Sequence, residues 1–225
     1  MRKILIVGAS KGIGATIAVL AQADFQVISL SRSLPQNDIT VHYQCDVVND
    51  MLPSIEGPLA GLVYCPGSIN LKPFSSLKSE DFRNDFELNI MGAVRCLKHY
   101  QSNLQASDSA SVVLFSSVAA QTGFTYHTSV AASKGAVEGL MHALATEWAP
   151  KIRVNAIAPS LTKTGLTERL LSDDAKLKAA ADRHPLKRIG QPEDIAQMAV
   201  FLLSAKASWI TGQVLHVDGG MSVIK

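Results

Sequence analysis

The chain has little net charge, few cysteines and no long apolar run, and each shortage excludes a class of protein. A formal charge of +2 over 225 residues leaves no electrostatic footprint for nucleic acid or an anionic membrane. The three cysteines, Cys45, Cys65 and Cys96, lack metal-ligand spacing, and their odd number argues against a disulfide framework. No metal is expected, and a reducing cytoplasm is the expected compartment. No stretch approaches the ~20 consecutive apolar residues of a membrane span. Met1–Val7 has the look of a signal start, but its apolar run Ile4–Val7 is short and ends at Gly8. There is no internal repeat, low-complexity segment or linker. Residues 1–225 are expected to form one domain, since the length suits one sizeable core and not two.

Hydrophobic residues make up 47% and charged residues 18%, ordinary for a globular α/β protein. Strand-length apolar runs recur at Lys3–Val7, Gln26–Leu30, Val41–Gln44, Gly61–Tyr64, Ser111–Phe115, Arg153–Ile157 and Gln213–Val217. Most are apolar nearly throughout, as in parallel strands covered on both faces. Helical periodicity falls at Ile13–Ala23, Asp81–Leu104, Ser129–Trp148 and Pro192–Ser204. This alternation predicts right-handed βαβ crossovers and one doubly wound Rossmann-type domain, with a seven-stranded parallel sheet and helices on both faces. Pro35–Asp38 and Asp50–Pro58 leave little room for full helices, so the early crossovers are expected to be abbreviated. Leu161–His184 is polar and less regular, and is read as a mobile substrate lid.

Gly8-Ala-Ser-Lys-Gly-Ile-Gly14 ends the first strand and opens the first helix. Its glycines allow a tight turn and close approach to a pyrophosphate, which the helix N-terminus stabilises. Gly8, Ser10, Lys11, Gly12, Ile13 and Gly14 are therefore candidate cofactor residues; a plain structural turn is the alternative. The spacing is Gly-x3-Gly-x-Gly rather than the commoner Gly-x-Gly-x2-Gly. NAD-preferring enzymes place an acidic residue after the second strand. This chain has Ser29-Leu30-Ser31-Arg32 there, with no carboxylate. The Ser31 hydroxyl and the Arg32 guanidinium suit a 2′-phosphate, and Lys11 adds a second cation. NADP(H) is expected rather than NAD(H); solvated surface charges are the alternative for Arg32 and Lys11.

These features, with Cys45-Asp46-Val47, Leu88-Asn89-Ile90-Met91-Gly92, Ser116-Ser117-Val118, Ser133-Lys134-Gly135, Arg153 to Pro159, Gln191 to Ala196 and Ile210 to Gly220, resemble the short-chain dehydrogenase/reductase family nearly end to end. The resemblance implies that Asp46 and Val47 contact the adenine and that Gly67 carries over after the fourth strand. It implies that Asn89 supports the catalytic lysine through a water, Ser117 orients the substrate oxygen, and Lys134 bonds the nicotinamide ribose. Thr162 and Thr164 then lie in the loop after Pro159 that contacts the nicotinamide end. By the same analogy the partners are a small-molecule substrate and copies of the chain, as a homodimer or homotetramer. The residues themselves allow plainer alternatives. Lys134 lies in an apolar helix segment, where a lysine needs a reason; a side chain snorkelling to the surface is the alternative. Ser117 ends a buried strand where ligands bind, or caps that strand. Asn89 is unfavourable inside a helix and needs a polar partner or water.

Three positions depart from the family pattern. Val130 stands one turn before Lys134, where the family has a proton-transferring tyrosine. Tyr64-Cys65-Pro66 replaces Asn-Asn-Ala, and Ser160 replaces the glycine after Pro159. If the helix extends upstream, the position seven before Lys134 lies about 20° off its face and that eight before about 80° off. These are His127 and Tyr126, the candidate proton sources. The enoyl reductases, a divergent branch of the superfamily, carry a tyrosine at the His127 offset. The alternative is that both residues line the substrate pocket without chemistry. Two functions follow: an NADP(H)-dependent reductase of a carbonyl or an enoyl-thioester-like C=C bond, or a catalytically impaired NADP-binding sensor, scaffold or hetero-oligomer subunit.

Overall fold

The computed structural model describes residues 1–35, 37–39 and 41–224. Among them seven strands form one parallel sheet: β1 (Arg2–Val7), β2 (Phe25–Ser31), β3 (Val41–Gln44), β4 (Gly61–Tyr64), β5 (Ala110–Phe115), β6 (Ile152–Pro159) and β7 (Val214–Val217). The strand order is β3-β2-β1-β4-β5-β6-β7. The helices are α1 (Gly12–Ala21), α2 (Ser79–Phe86), α3 (Gly92–Gln105), α4 (Ala119–Thr122), α5 (Thr128–Glu147), α6 (Asp174–Asp182) and α7 (Pro192–Leu203). None is long and apolar enough to cross a membrane.

Alternate side chains of each strand point to opposite faces, and both faces are covered. Ile4 and Ile6 of β1 pack with Ile17 and Ala18 of α1 and Ile195 and Ala199 of α7. Leu5 and Val7 enter the other core with Leu97 and Tyr100 of α3 and Val137 and Met141 of α5. Two covered faces are the reason the strands read as continuous apolar runs. Between β2 and β3, Gln36 lies outside the described residues. The β3–β4 connection, 45–60, forms turns rather than a helix.

The helix anticipated over Asp81–Leu104 is present: helical backbone runs unbroken from Ser79 to Gln105, through α2, a π turn over Glu87–Met91 and α3. Tyr64 ends a wholly buried strand, and its hydroxyl donates to Leu88 O in that turn at 2.7 Å. A Cβ on Gly92 would lie 2.2 Å from this hydroxyl, so the tyrosine and the glycine require each other. The less regular Leu161–His184 segment carries some local structure. It holds a 3-10 turn, Glu168–Leu171, and α6, whose N-terminus is capped by the Asp173 carboxylate accepting from Lys176 N at 2.9 Å. Because α6 fully buries only Ala180, its sequence carries no apolar stripe.

Tyr64→Phe is expected to destabilise the chain by about 1 kcal/mol, because it removes the hydrogen bond from the buried tyrosine to Leu88 O. Urea denaturation reads this directly, and an unchanged midpoint would contradict the role given to the hydroxyl.

Candidate active site

The sheet order reverses beside β1, and the C-terminal strand ends at that switch point open into a cavity of about 750 Å³. Ligands of open α/β sheets bind at such crevices. The cavity is walled by the turns after β1, β2, β4, β5 and β6 and by the start of α5.

At one end lies the glycine turn. Gly8 has φ +83°, and a Cβ on Gly14 would lie 2.3 Å from Gly8 O, so α1 approaches β1 as only glycine permits. Gly8, Ser10, Lys11, Gly12, Ile13 and Gly14 all line the cavity. The N-terminus of α1 has no side-chain cap and no acidic residue in its first turn. Its free amides fit the pyrophosphate of a dinucleotide without competition. Beside them the Ser31 hydroxyl donates to Ser33 O at 2.9 Å. The exposed Arg32 guanidinium has no hydrogen-bond or ion-pair partner among the described residues. Asp46 and Val47 line the same end. The Asp46 carboxylate accepts from Val48 N and from Asn49 Nδ2, and the Val48 bond holds its pKa below the usual range.

At the other end Lys134, Ser117, Val130, His127, Pro159, Thr162 and Thr164 line the wall. Lys134 is 7% exposed, which excludes a surface role, and its ammonium donates to Phe115 O at 2.9 Å. Burial pushes its pKa down to about 8, while the nearby Cys65 and Asp85 pull it upward. A Cβ on Gly67 would lie 3.3 Å from both Lys134 Nζ and Asn89 Oδ1, so this glycine lets the two approach each other. Asn89 is buried in the π turn and does not line the cavity. Its amide donates to Ser133 Oγ at 2.8 Å and Ser68 Oγ at 3.1 Å, and its Oδ1 accepts from Ser68 N. Ser117 Oγ accepts from Ala119 N at 3.2 Å and still faces the cavity. Thr162 Oγ1 donates to Ser160 O, and Thr164 N to Thr167 Oγ1, which fixes the loop after β6.

The two proton-source candidates separate. His127 lies just before α5, lines the cavity, and holds Thr125 O through Nδ1 at 2.8 Å. Tyr126 is 53% exposed, has φ +70° and stays off the cavity wall. The helix begins only at Thr128, so helical spacing does not extend back to Tyr126. Sequence reasoning also missed Ser68, which donates to the buried Asp85 at 2.6 Å, and His184, which bonds Ser160. Only the Ser160 departure hinted at the second pair. The apolar wall of the substrate end, including Ile69, Leu71, Leu88, Phe124 and Met221, carried no motif.

An α/β fold with a glycine cradle at its switch point and a buried lysine beside it defines a dinucleotide-type catalytic scaffold. Comparison with known proteins gives the family. A family model described as Enoyl-(Acyl carrier protein) reductase matches residues 8–222. L-xylulose reductase of Bos taurus is 32% identical, the match covering 97% of this chain and 96% of that protein. The ligand-free aldohexose dehydrogenase of Thermoplasma acidophilum superposes with a TM-score of 0.91 at 29% identity, over 100% of this chain and 95% of that one. ElxO, solved with NADP bound, superposes with a TM-score of 0.85 at 28% identity, over 98% of both chains. The chain belongs to the short-chain dehydrogenase/reductase family of oxidoreductases.

Proposed function

We propose that this chain is an NADP(H)-dependent reductase, one domain over residues 1–225, that acts on a carbonyl or an enoyl-thioester-like C=C bond without the family's tyrosine. The observation that carries the reading is that His127, Lys134 and Ser117 line one cavity around the aliphatic Val130. The glycine turn holds the pyrophosphate, Arg32 and Lys11 attract the 2′-phosphate, and Lys134 and the Pro159–Thr164 loop hold the nicotinamide end. NADP bound to the relative ElxO supports the same choice of cofactor. When bound, the reduced cofactor supplies the hydride. Ser117 donates a hydrogen bond to the substrate oxygen, and Lys134 adds positive charge where negative charge develops. His127 delivers the proton that the valine cannot. Asn89 acts from behind, by fixing Ser133 next to Lys134.

One observation favours the second reading, an impaired NADP-binding protein: Val130 is 5% exposed and fills the tyrosine position with an inert side chain. The experiment is NADPH oxidation over ketones and enoyl thioesters for wild type, His127→Ala and Val130→Tyr. The reductase reading expects wild-type turnover, with kcat reduced about 10²–10⁴-fold in His127→Ala and NADPH affinity retained. A wild-type rate in His127→Ala would remove the acid assignment. Turnover seen only after Val130→Tyr would establish the impaired reading.

A further inference from the structure

Ser160, which stands where the family has glycine, packs against a buried histidine. His184 is 2% exposed and both of its ring nitrogens are partnered. Nδ1 faces Ala180 O at 2.8 Å, and Nε2 faces Ser160 Oγ at 2.8 Å. A backbone carbonyl can only accept, so Nδ1 carries a proton. In the Nδ1–H tautomer that this bond selects, Nε2 is a bare acceptor. The single proton of Ser160 is therefore committed to Nε2. The other neighbour of Ser160 Oγ, Met221 Sδ at 3.0 Å, is a far weaker acceptor and does not compete for it. What Ser160 offers the cavity it lines is lone pairs.

We propose that Ser160, oriented by His184, is a specificity-determining hydrogen-bond acceptor, and that the substrate is a largely apolar carbonyl compound bearing a hydroxyl close to the reacting carbon. The cavity combines this fixed acceptor with an apolar wall of Ile69, Leu71, Phe124 and Met221. Ser117 is left free to serve the carbonyl oxygen. His184 also closes the C-terminal end of α6 through Ala180 O, so one imidazole joins the segment over the cavity to the end of β6. The substrate class rests on the proposed reductase reading; the polarity of Ser160 does not.

The test is binding of three matched ketones to the protein–NADP⁺ complex by calorimetry: 2-hydroxyacetophenone, 2-methoxyacetophenone and acetophenone. A single neutral hydrogen bond predicts that wild type prefers the hydroxy compound by about 3–10-fold over both others, and that Ser160→Ala binds all three alike. A methoxy compound bound as tightly as the hydroxy one would overturn the proposal, because it would show that Ser160 donates. So would a preference that survives in Ser160→Ala, or a wild type that does not discriminate. Nitrogen-15 NMR of labelled histidine gives a readout free of ligand. The Nδ1–H tautomer of His184 is expected, with an Nε2 shift that moves in Ser160→Ala; the opposite tautomer would overturn the proposal. Discrimination without turnover would count against the reductase reading alone.

Discussion

Lys134→Met is expected to reduce turnover by about a hundredfold or more while leaving the fold at least as stable. Losing a preorganised charge at a reacting centre typically costs about 10²–10³ in kcat. The stability side follows from burial. Among the described residues the ammonium has one hydrogen bond, to Phe115 O, and burial pushes its pKa down to about 8. Below pH 8 both folded and unfolded chains carry the proton, so the folded state bears the full cost of the buried charge. From about 8 to the ordinary lysine value near 10.5, the unfolded chain holds a proton that the folded chain has released. Stability from this group therefore rises with pH across that window, by roughly 3 kcal/mol at most. Methionine removes both the cost and the rise, against about 1 kcal/mol for the lost bond to Phe115 O. Urea denaturation at pH 7 and pH 10, beside kcat, checks both halves. A variant that retains turnover, or one that unfolds readily at pH 7, would contradict the role given to the lysine.

Arg32→Ala is expected to weaken NADPH binding by about one to two decades and to leave NADH binding unchanged. A charge-assisted phosphate contact is worth about 1.5–3 kcal/mol. The guanidinium needs no prior partner broken, since it is exposed and unpaired among the described residues. The hydroxyl of the neighbouring Ser31 already serves Ser33 O, so it compensates little for the loss. Fluorescence titration of both cofactors decides the matter. Equal wild-type affinities, or an unchanged NADPH affinity in the variant, would count against the 2′-phosphate assignment.

What was legible in the sequence was local. The five inner strands stand out because they are buried on both faces, unlike the half-exposed edges β3 and β7, and the glycine turn, Ser117 and Lys134 sit in short motifs at strand ends or on one helix. What escaped depended on contacts distant in the chain. The π turn that carries Asn89 is braced by Tyr64, 24 residues before Leu88, and no periodicity within the helix records that. The α6 helix fully buries only Ala180, too little to show a stripe. Helical spacing placed His127 close to the Lys134 face and Tyr126 well to one side of it. The left-handed backbone at Tyr126 breaks that spacing, and only His127 reaches the cavity. The Ser160–His184 pair joins the end of β6 to the residue that closes α6, which only the folded chain brings together.

Everything proposed for the site depends on hydride transfer with valine at position 130. It is tested most directly by single turnover with NADPH deuterated at the transferable C4 position, over the ketone and enoyl-thioester panel, with mass spectrometry of the products. Deuterium is expected at the reduced carbon of at least one product with the wild-type chain, and much less with Lys134→Met. Unlabelled, unreduced substrate throughout with wild type, beside labelled product with Val130→Tyr, would contradict it.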